Sequence, residues 1–230
     1  MKRTTAPRVK ICCIGSRDEA ALAVECGASA LGLVSAMPSG PGVISDSLIK
    51  EIAATIPPSV GSFLLTCKQD AQEIISQHNA CRTNCIQLCD RLASGSYDDL
   101  RSALPGISLV QVIHVTGPES VDEALEIAAS VDAILLDSGN QSLRVKELGG
   151  TGRTHNWDLS NQIRQQLEIP VFLAGGLSAS NVMAAIEAVG PFGVDLCSGV
   201  RTNGQLDRTK LVRFFAAVRG TQTLPTSAEP

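Results

Sequence analysis

Short aliphatic runs alternate along this chain with longer stretches whose apolar residues recur three and four apart, the two periodicities of buried strands and amphipathic helices. Arg8-Val-Lys-Ile-Cys-Cys-Ile14 is rich in β-branched residues and bounded by Gly15, which predicts a strand. Ser16-Arg-Asp-Glu19 has the form of a capping box, and Ala20 to Cys26 continues as a helix closed by Gly27. Ala28 to Val34 is the second strand, followed by a Pro- and Gly-rich loop over 35–42 and a helix from Ser45 to Ile56 that Pro57-Pro58 stops. Further strands are expected at Val60 to Leu65, Cys85 to Cys89, Leu109 to His114, Ala133 to Asp137, Val171 to Ala174 and Gly193 to Cys197. The intervening helices are expected at Asp70 to His78, Tyr97 to Ala103, Ser120 to Ser130 (opening on a second capping box, Ser120 to Glu123), Trp157 to Leu167 and Ser178 to Val189, with a last helix from Asp207 to Val218. Eight strands alternating with eight helices predict a parallel sheet closed into a single-domain α/β fold, a (β/α)₈ TIM barrel over residues 1–230, with a short disordered N-terminus (1–7) and a disordered C-terminal tail (219–230).

Three of the later strands run into segments with little side-chain bulk. Ala133 to Asp137 leads through a polar loop to Gly149-Gly150-Thr151-Gly152, Val171 to Ala174 leads into Gly175-Gly176, and Gly193 to Cys197 into Ser198-Gly199. At such places backbone N–H groups approach a ligand closely, glycine takes positive φ without cost, and following helices present their positive ends. In a (β/α)₈ barrel the active site lies at the C-terminal strand ends, with phosphate often held after strands seven and eight. Gly150, Gly152, Gly175, Gly176, Ser198 and Gly199 are therefore the expected phosphate-binding residues.

Composition narrows the classes. A hydrophobic content of 44% supplies a large core, while 18% charged residues and a net charge of −4 leave no electrostatic footprint for nucleic acid. There is no apolar run long enough for a membrane helix and no apolar stretch near the N-terminus of the kind a signal peptide needs, so a cytoplasmic location is expected. The eight cysteines contain no CxxC pair; they read as reduced thiols and small buried hydrophobes, with no metal site. At the strand ends stand Cys12, Cys89, His114 and Asp137, with Asp195 inside strand eight. A thiolate and a carboxylic acid facing one cavity can act as base and acid, which makes Cys12 and Asp137 the candidate catalytic pair. Adjacent strand residues point to opposite faces, so Cys12 is expected to face the cavity and Cys13 to face away.

Several of these segments carry a resemblance. Val9-Lys-Ile-Cys12 is similar to the VKICG opening of phosphoribosylanthranilate isomerases. Leu135-Leu-Asp137, GGTG followed by Trp157, the AGGLxxxNV pattern at 174–182, VDxxSGV at 194–200 and Ile86-Gln-Leu88 resemble that family's segments in the same order, over roughly residues 8 to 218. The resemblance implies an Amadori rearrangement of a phosphorylated sugar in tryptophan biosynthesis, with Asp137 as general acid, Cys12 as general base, Gln87 and Asp195 at the substrate, and no cofactor. The partner is the small phosphorylated substrate, without nucleic acid or membrane, and a homodimer is compatible with it. Departures from the pattern leave two other readings open: an isomerase of another amino-sugar phosphate, or a non-catalytic sugar-phosphate-binding barrel. Cys13 stands where the family has Gly, and Cys89-Asp90 replaces its His-Gly. The second βα loop has lost the arginine that holds the anthranilate carboxylate; no cation lies between Arg17 and Lys50. Arg201 stands where the family has glutamate, and it is the expected replacement for that arginine.

Overall fold

Neighbouring strands pair in parallel all the way round, and the eighth returns to the first. The computed structural model describes residues 6–220, and the readings at 1–5 and 221–230 lie outside the described residues. The closed barrel contains β1 (Arg8–Ile11), β2 (Ala30–Val34), β3 (Gly61–Thr66), β4 (Cys85–Leu88), β5 (Ser108–His114), β6 (Ala133–Asp137), β7 (Val171–Leu173) and β8 (Gly193–Leu196). Around it lie α1 (Arg17–Cys26), α2 (Asp46–Ala53), α3 (Ala71–Cys81), α4 (Tyr97–Ala103), α5 (Glu119–Ala128), α6 (Trp157–Gln166), α7 (Val182–Val189) and α8 (Arg208–Val218). A 3₁₀ turn at Ser198–Val200 and a small hairpin of β9 (Arg201–Thr202) and β10 (Gln205–Leu206) follow β8. The sequence reading left that hairpin unassigned, although its turn is Asn203-Gly204 with both residues at positive φ, the pair that tight hairpin turns prefer.

Local chemistry sets most helix starts. Ser45, Asp70, Asn156 and Asp207 each accept a hydrogen bond from a first-turn N–H, satisfying a donor the helix itself cannot. The two capping boxes read from the sequence are not reciprocal. Ser16 accepts from the Glu19 N–H, but the Glu19 carboxylate turns outward to the Gly15 N–H and to Arg201. At the other, α5 begins one residue earlier, and the Ser120 hydroxyl instead accepts from the Thr116 N–H and donates to the His114 carbonyl. The reciprocal box is at Ser96 and Asp99. The helix read from Ser178 begins only at Val182, because Asn181 accepts from the Ser178 N–H and donates to the Gly176 carbonyl, spending those residues on a turn.

The core has two layers. Val, Leu and Ile facing outward from the strands pack against the helices, with Phe214 and Phe215 of α8 among them. A second cluster fills the barrel, including Phe63, Phe172, Val110, Val112 and Leu135. Phe63 and Phe172 meet edge to face, their centroids 6.2 Å apart. The exception to this apolar filling is Lys10, wholly buried and ion-paired to Asp195 on the adjoining strand at 3.0 Å. The two residues are register partners across the β1–β8 seam. Burial alone would lower the Lys10 pKa, but the facing Asp195 carboxylate outweighs it and raises it; burial pushes the Asp195 carboxyl up against the opposing pull of Lys10. Removing one partner of such a pair leaves an uncompensated buried charge, which costs about 3–5 kcal/mol. Lys10→Met should therefore lower the urea unfolding free energy by about that amount, and adding Asp195→Leu should restore a substantial part of it. A single Lys10→Met variant as stable as the wild type would show that the seam does not depend on the pair.

Candidate active site

At the C-terminal end of the strands the βα loops surround one cavity. Its wall is formed by Cys12 and Cys13 after β1, Val34, Met37 and Ser39 to Pro41 around the second loop, Leu65 on β3, Gln87 and Cys89 on and after β4, and Asp137 on β6. Leu148 to Gly152, Ala174 to Leu177 and Asp195 to Ser198 complete it from the last three βα units. The candidate pair Cys12 and Asp137 thus opens onto the same space from opposite sides of the barrel, each of them 7% exposed.

Two glycines make room for that pair. A Cβ on Gly32 of β2 would lie 2.9 Å from the Cys12 Sγ and 3.1 Å from the Lys10 Nζ, so a side chain there would displace both. Across the cavity, a Cβ on Gly149 would lie 2.7 Å from the Asp137 Oδ2. The other carboxylate oxygen, Oδ1, accepts from the Ser138 N–H at 2.7 Å, which fixes the carboxyl and leaves Oδ2 on the Gly149 side.

Cys13 departs from the expected alternation. The strand ends at Ile11, and Cys13 sits in the left-handed region with φ 62°, so both adjacent cysteines line the cavity. A side chain at positive φ is strained by roughly 1–2 kcal/mol. Its thiol is flanked by those of Cys12 and Cys197, and these contacts, with burial, hold it far above the ordinary value. Cys197, missed in the sequence reading, is lowered by the Cys13 thiol and by the neighbouring Arg201.

The glycine-rich segments of the last three loops converge as their positions in the sequence suggest. Gly150, Gly152, Gly175 and Gly176 all have positive φ, and with Ser198 they line one end of the cavity. A Cβ on Gly176 would meet the Thr154 nitrogen at 2.8 Å and the Gly152 carbonyl oxygen at 2.9 Å, so loops six and seven touch through backbone. Gly199 lies outside the wall: a Cβ there would fall 2.1 Å from the Leu177 carbonyl oxygen, and its role is to let loop eight pack on loop seven. Loop two meets loop six, where the Ser39 hydroxyl donates to the Lys146 carbonyl at 2.7 Å.

The remaining candidates divide. Gln87 faces the cavity; its amide donates to the Cys89 sulfur at 3.7 Å and its Oε1 is buried without a partner. Asp195 reaches the cavity floor while paired to Lys10. His114 is turned away, with Nε2 on the Cys89 carbonyl. Arg201 does not line this cavity. It lies in an adjoining one with Glu19, Gly42 and Gly204. One Nη binds Glu19 Oε1 and the Gly204 carbonyl, both at 2.8 Å; the other binds Glu19 Oε2 and the Cys12 and Cys13 carbonyls. Glu19 also accepts from the Leu206 N–H at 2.9 Å. Arg201 and Glu19 together clasp loop one to loop eight and hold the backbone that carries Cys12. Nothing in the spacing of the sequence brings position 19 to position 201; only the closed barrel does.

A closed eight-stranded α/β barrel with a cavity of this build at its C-terminal face places the chain among (β/α)₈ barrels that handle small molecules. It belongs to the N-(5'-phosphoribosyl)anthranilate (PRA) isomerase family, whose model matches residues 9–217. The chain is 34% identical over 209 residues to N-(5'-phosphoribosyl)anthranilate isomerase 2 of Methanosarcina mazei, covering 90% of this chain and 92% of that one. It is 32% identical over 208 residues to the N-(5'-phosphoribosyl)anthranilate isomerase of Methanocella arvoryzae, with 90% and 95% covered. Among solved structures, the phosphoribosyl anthranilate isomerase of Thermotoga maritima superposes with a TM-score of 0.76 at 28% identity, covering 93% of this chain and 99% of its own.

The clasp carries a pH signature. Glu19 is partly buried, which by itself would raise its pKa, but Arg201 and the Gly15 and Leu206 N–H groups together hold it below its ordinary 4.5. A carboxylate depressed in the folded state stabilises the fold above its unfolded pKa, and that contribution is lost as pH falls through the folded value. The melting temperature of Glu19→Gln should therefore lie below that of the wild type at pH 7, and the gap should close as pH falls below 4.5. A gap that stays constant across that range would mean the Glu19 charge does not matter to the clasp.

Proposed function

We propose that this barrel isomerises N-(5-phosphoribosyl)anthranilate to 1-(2-carboxyphenylamino)-1-deoxyribulose 5-phosphate, an Amadori rearrangement in tryptophan biosynthesis. The observation that carries the reading is that Cys12 and Asp137 open onto one cavity whose far end is built from the convergent glycines of loops six, seven and eight, in a chain of the PRA isomerase family. One related structure is described as a complex with reduced 1-(o-carboxyphenylamino)-1-deoxyribulose 5-phosphate; it has a TM-score of 0.74 and 27% identity to this chain.

The substrate's phosphate would lie on the backbone N–H groups around Gly150, Gly152, Gly175, Gly176 and Ser198, which fixes the ribose between the acid and the base. Asp137 gives its proton to the ring oxygen as the C1–O bond breaks, and the nitrogen lone pair forms the C1=N bond of a protonated Schiff base. Cys12, as thiolate, removes the proton from C2, and that C–H electron pair flows to C1–C2 to give the enolamine. Tautomerisation to the C2 ketone returns a proton to C1 and completes the isomerisation with no net change in redox state. Each positioned acid or base contributes typically about 10²–10⁴-fold. No group other than side chains and backbone is called on. A cytoplasmic location goes with this pathway. A homodimer is suggested by a Thermotoga maritima relative, 26% identical, described as dimeric; size-exclusion chromatography with light scattering decides it here.

Complementation of a tryptophan auxotroph lacking this isomerase, with kinetics of the purified protein, tests the reading. Cys12→Ser should lower kcat by at least about 10²-fold with little change in KM, because a serine hydroxyl is too weak an acid to supply an anionic base near neutral pH. Asp137→Asn should fall by a similar factor, since an amide has no proton to give the ring oxygen. Full activity in either variant removes that residue from its assigned role.

A further inference from the structure

Among the described residues, the wall of the reaction cavity contains two carboxylates, Asp137 and Asp195, and no lysine, arginine or histidine. That is unexpected for a site whose substrate, on the reading above, ends in an aromatic carboxylate, because an anion leaving water needs a cation or donors to replace its hydration. We infer that the site does not read the aryl carboxylate, and that the protein isomerises N-(5-phosphoribosyl)arylamines with and without an ortho carboxylate at comparable efficiency. This rests on the isomerase reading and specifies its substrate class.

Apart from Arg144, an exposed loop-six side chain that does not line the cavity, the nearby cations are already committed. Arg201 has both Nη groups on Glu19 and on backbone carbonyls, and Glu19 is held in turn by the Gly15 and Leu206 N–H groups. Only its Nε is without a partner, and that atom is buried, so a substrate carboxylate could use the Nη groups only by displacing Glu19 and the carbonyls. Lys10 is wholly buried on Asp195. Around loop six, Lys146 pairs with Asp90 and Arg153 with Glu147. Loop two offers no cation, and its geometry excludes one at Gly42: φ there is +80°, and a Cβ would lie 2.4 Å from the Cys13 Cβ and 2.9 Å from its Cα. The Cys13 side chain occupies the room that a side chain at 42 would need.

The side of the cavity formed by loops one, two and six is instead apolar. Val34, Leu65 and Leu148 are buried there, with Met37 packed against them. An aromatic ring gains burial against such a wall whatever its ortho substituent. A carboxylate on that ring gains no partner, so it stays at the solvent-facing mouth and its contribution is screened.

The test uses glycosylamines formed by condensing ribose 5-phosphate with anthranilate, with anthranilamide (nearly isosteric and neutral) or with aniline. Ketoamine formation is followed by mass spectrometry, and the uncatalysed rate is subtracted. The expected result is a kcat/KM for the two neutral substrates within about tenfold of that for the anthranilate derivative, the range a solvent-exposed charge contact can span. A site built to bind the missing group would reject the neutral analogues by roughly 10⁴-fold. A preference for the anthranilate derivative above about 100-fold overturns the inference and leaves the isomerase reading standing. Loss of such a preference in Arg144→Ala or Arg201→Ala would then locate the cation and confirm the overturning. Turnover of the neutral substrates alone overturns both phosphoribosylanthranilate as the substrate and the comparable efficiency inferred here. No turnover of any of the three removes the isomerase reading, and the inference falls with it.

Discussion

The buried ion pair of Lys10 and Asp195 is the constraint on which the site depends. A (β/α)₈ sheet is a barrel only if its first and last strands meet, and here that seam carries its charged pair inside the barrel, 3.0 Å apart. An isolated charge in that position is costly, so the pair strongly favours the register that joins Lys10 to Asp195. Cys12 lies two residues beyond Lys10 and Ser198 three beyond Asp195. Fixing the seam therefore fixes the distance between the candidate base and the end of the cavity assigned to phosphate. Gly32 extends the same constraint to β2, since any side chain there would meet both the Lys10 ammonium and the Cys12 sulfur.

The opposite side of the site is set by backbone contact. Loops six, seven and eight touch through glycines: Gly176 on the backbone of residues 152–154, and Gly199 on the Leu177 carbonyl. Such close backbone approach makes the glycines individually hard to replace. Asp137 belongs to this same framework, its position defined by the Ser138 N–H on one oxygen and the absence of a side chain at Gly149 beside the other.

Between these two sides, loops one, two and eight meet one another directly. Cys13 fills space next to Gly42, and its left-handed backbone is held by the Arg201 guanidinium on its carbonyl. Arg201 in turn needs Glu19, without which a largely buried guanidinium would lie among carbonyl dipoles alone. The arginine that appeared from the sequence to be a substrate ligand is thus tied to the backbone that carries Cys12 and Cys13.

What the sequence determined by itself was the part governed by local pattern. Alternating strand and helix periodicities gave eight units and hence a closed barrel, and the glycine-bearing strand ends marked three loops that do converge. That Cys12 and Asp137 would share one cavity was legible because residues at or just past a strand's C-terminal end lie at the same rim of a parallel barrel. The tertiary structure decided what depends on contacts between distant segments or on backbone outside regular structure. Alternation could not place Cys13, since the strand had already ended and a left-handed residue follows no period. The capping pattern at Ser16 to Glu19 gave no sign that the carboxylate would leave its helix for Arg201, because only barrel closure brings loops one and eight into contact. Gly199 looked like Gly175 in the sequence, yet one packs two loops together and the other faces the cavity. Composition and spacing record which residues are small or charged; which of them meet is settled by how the chain closes.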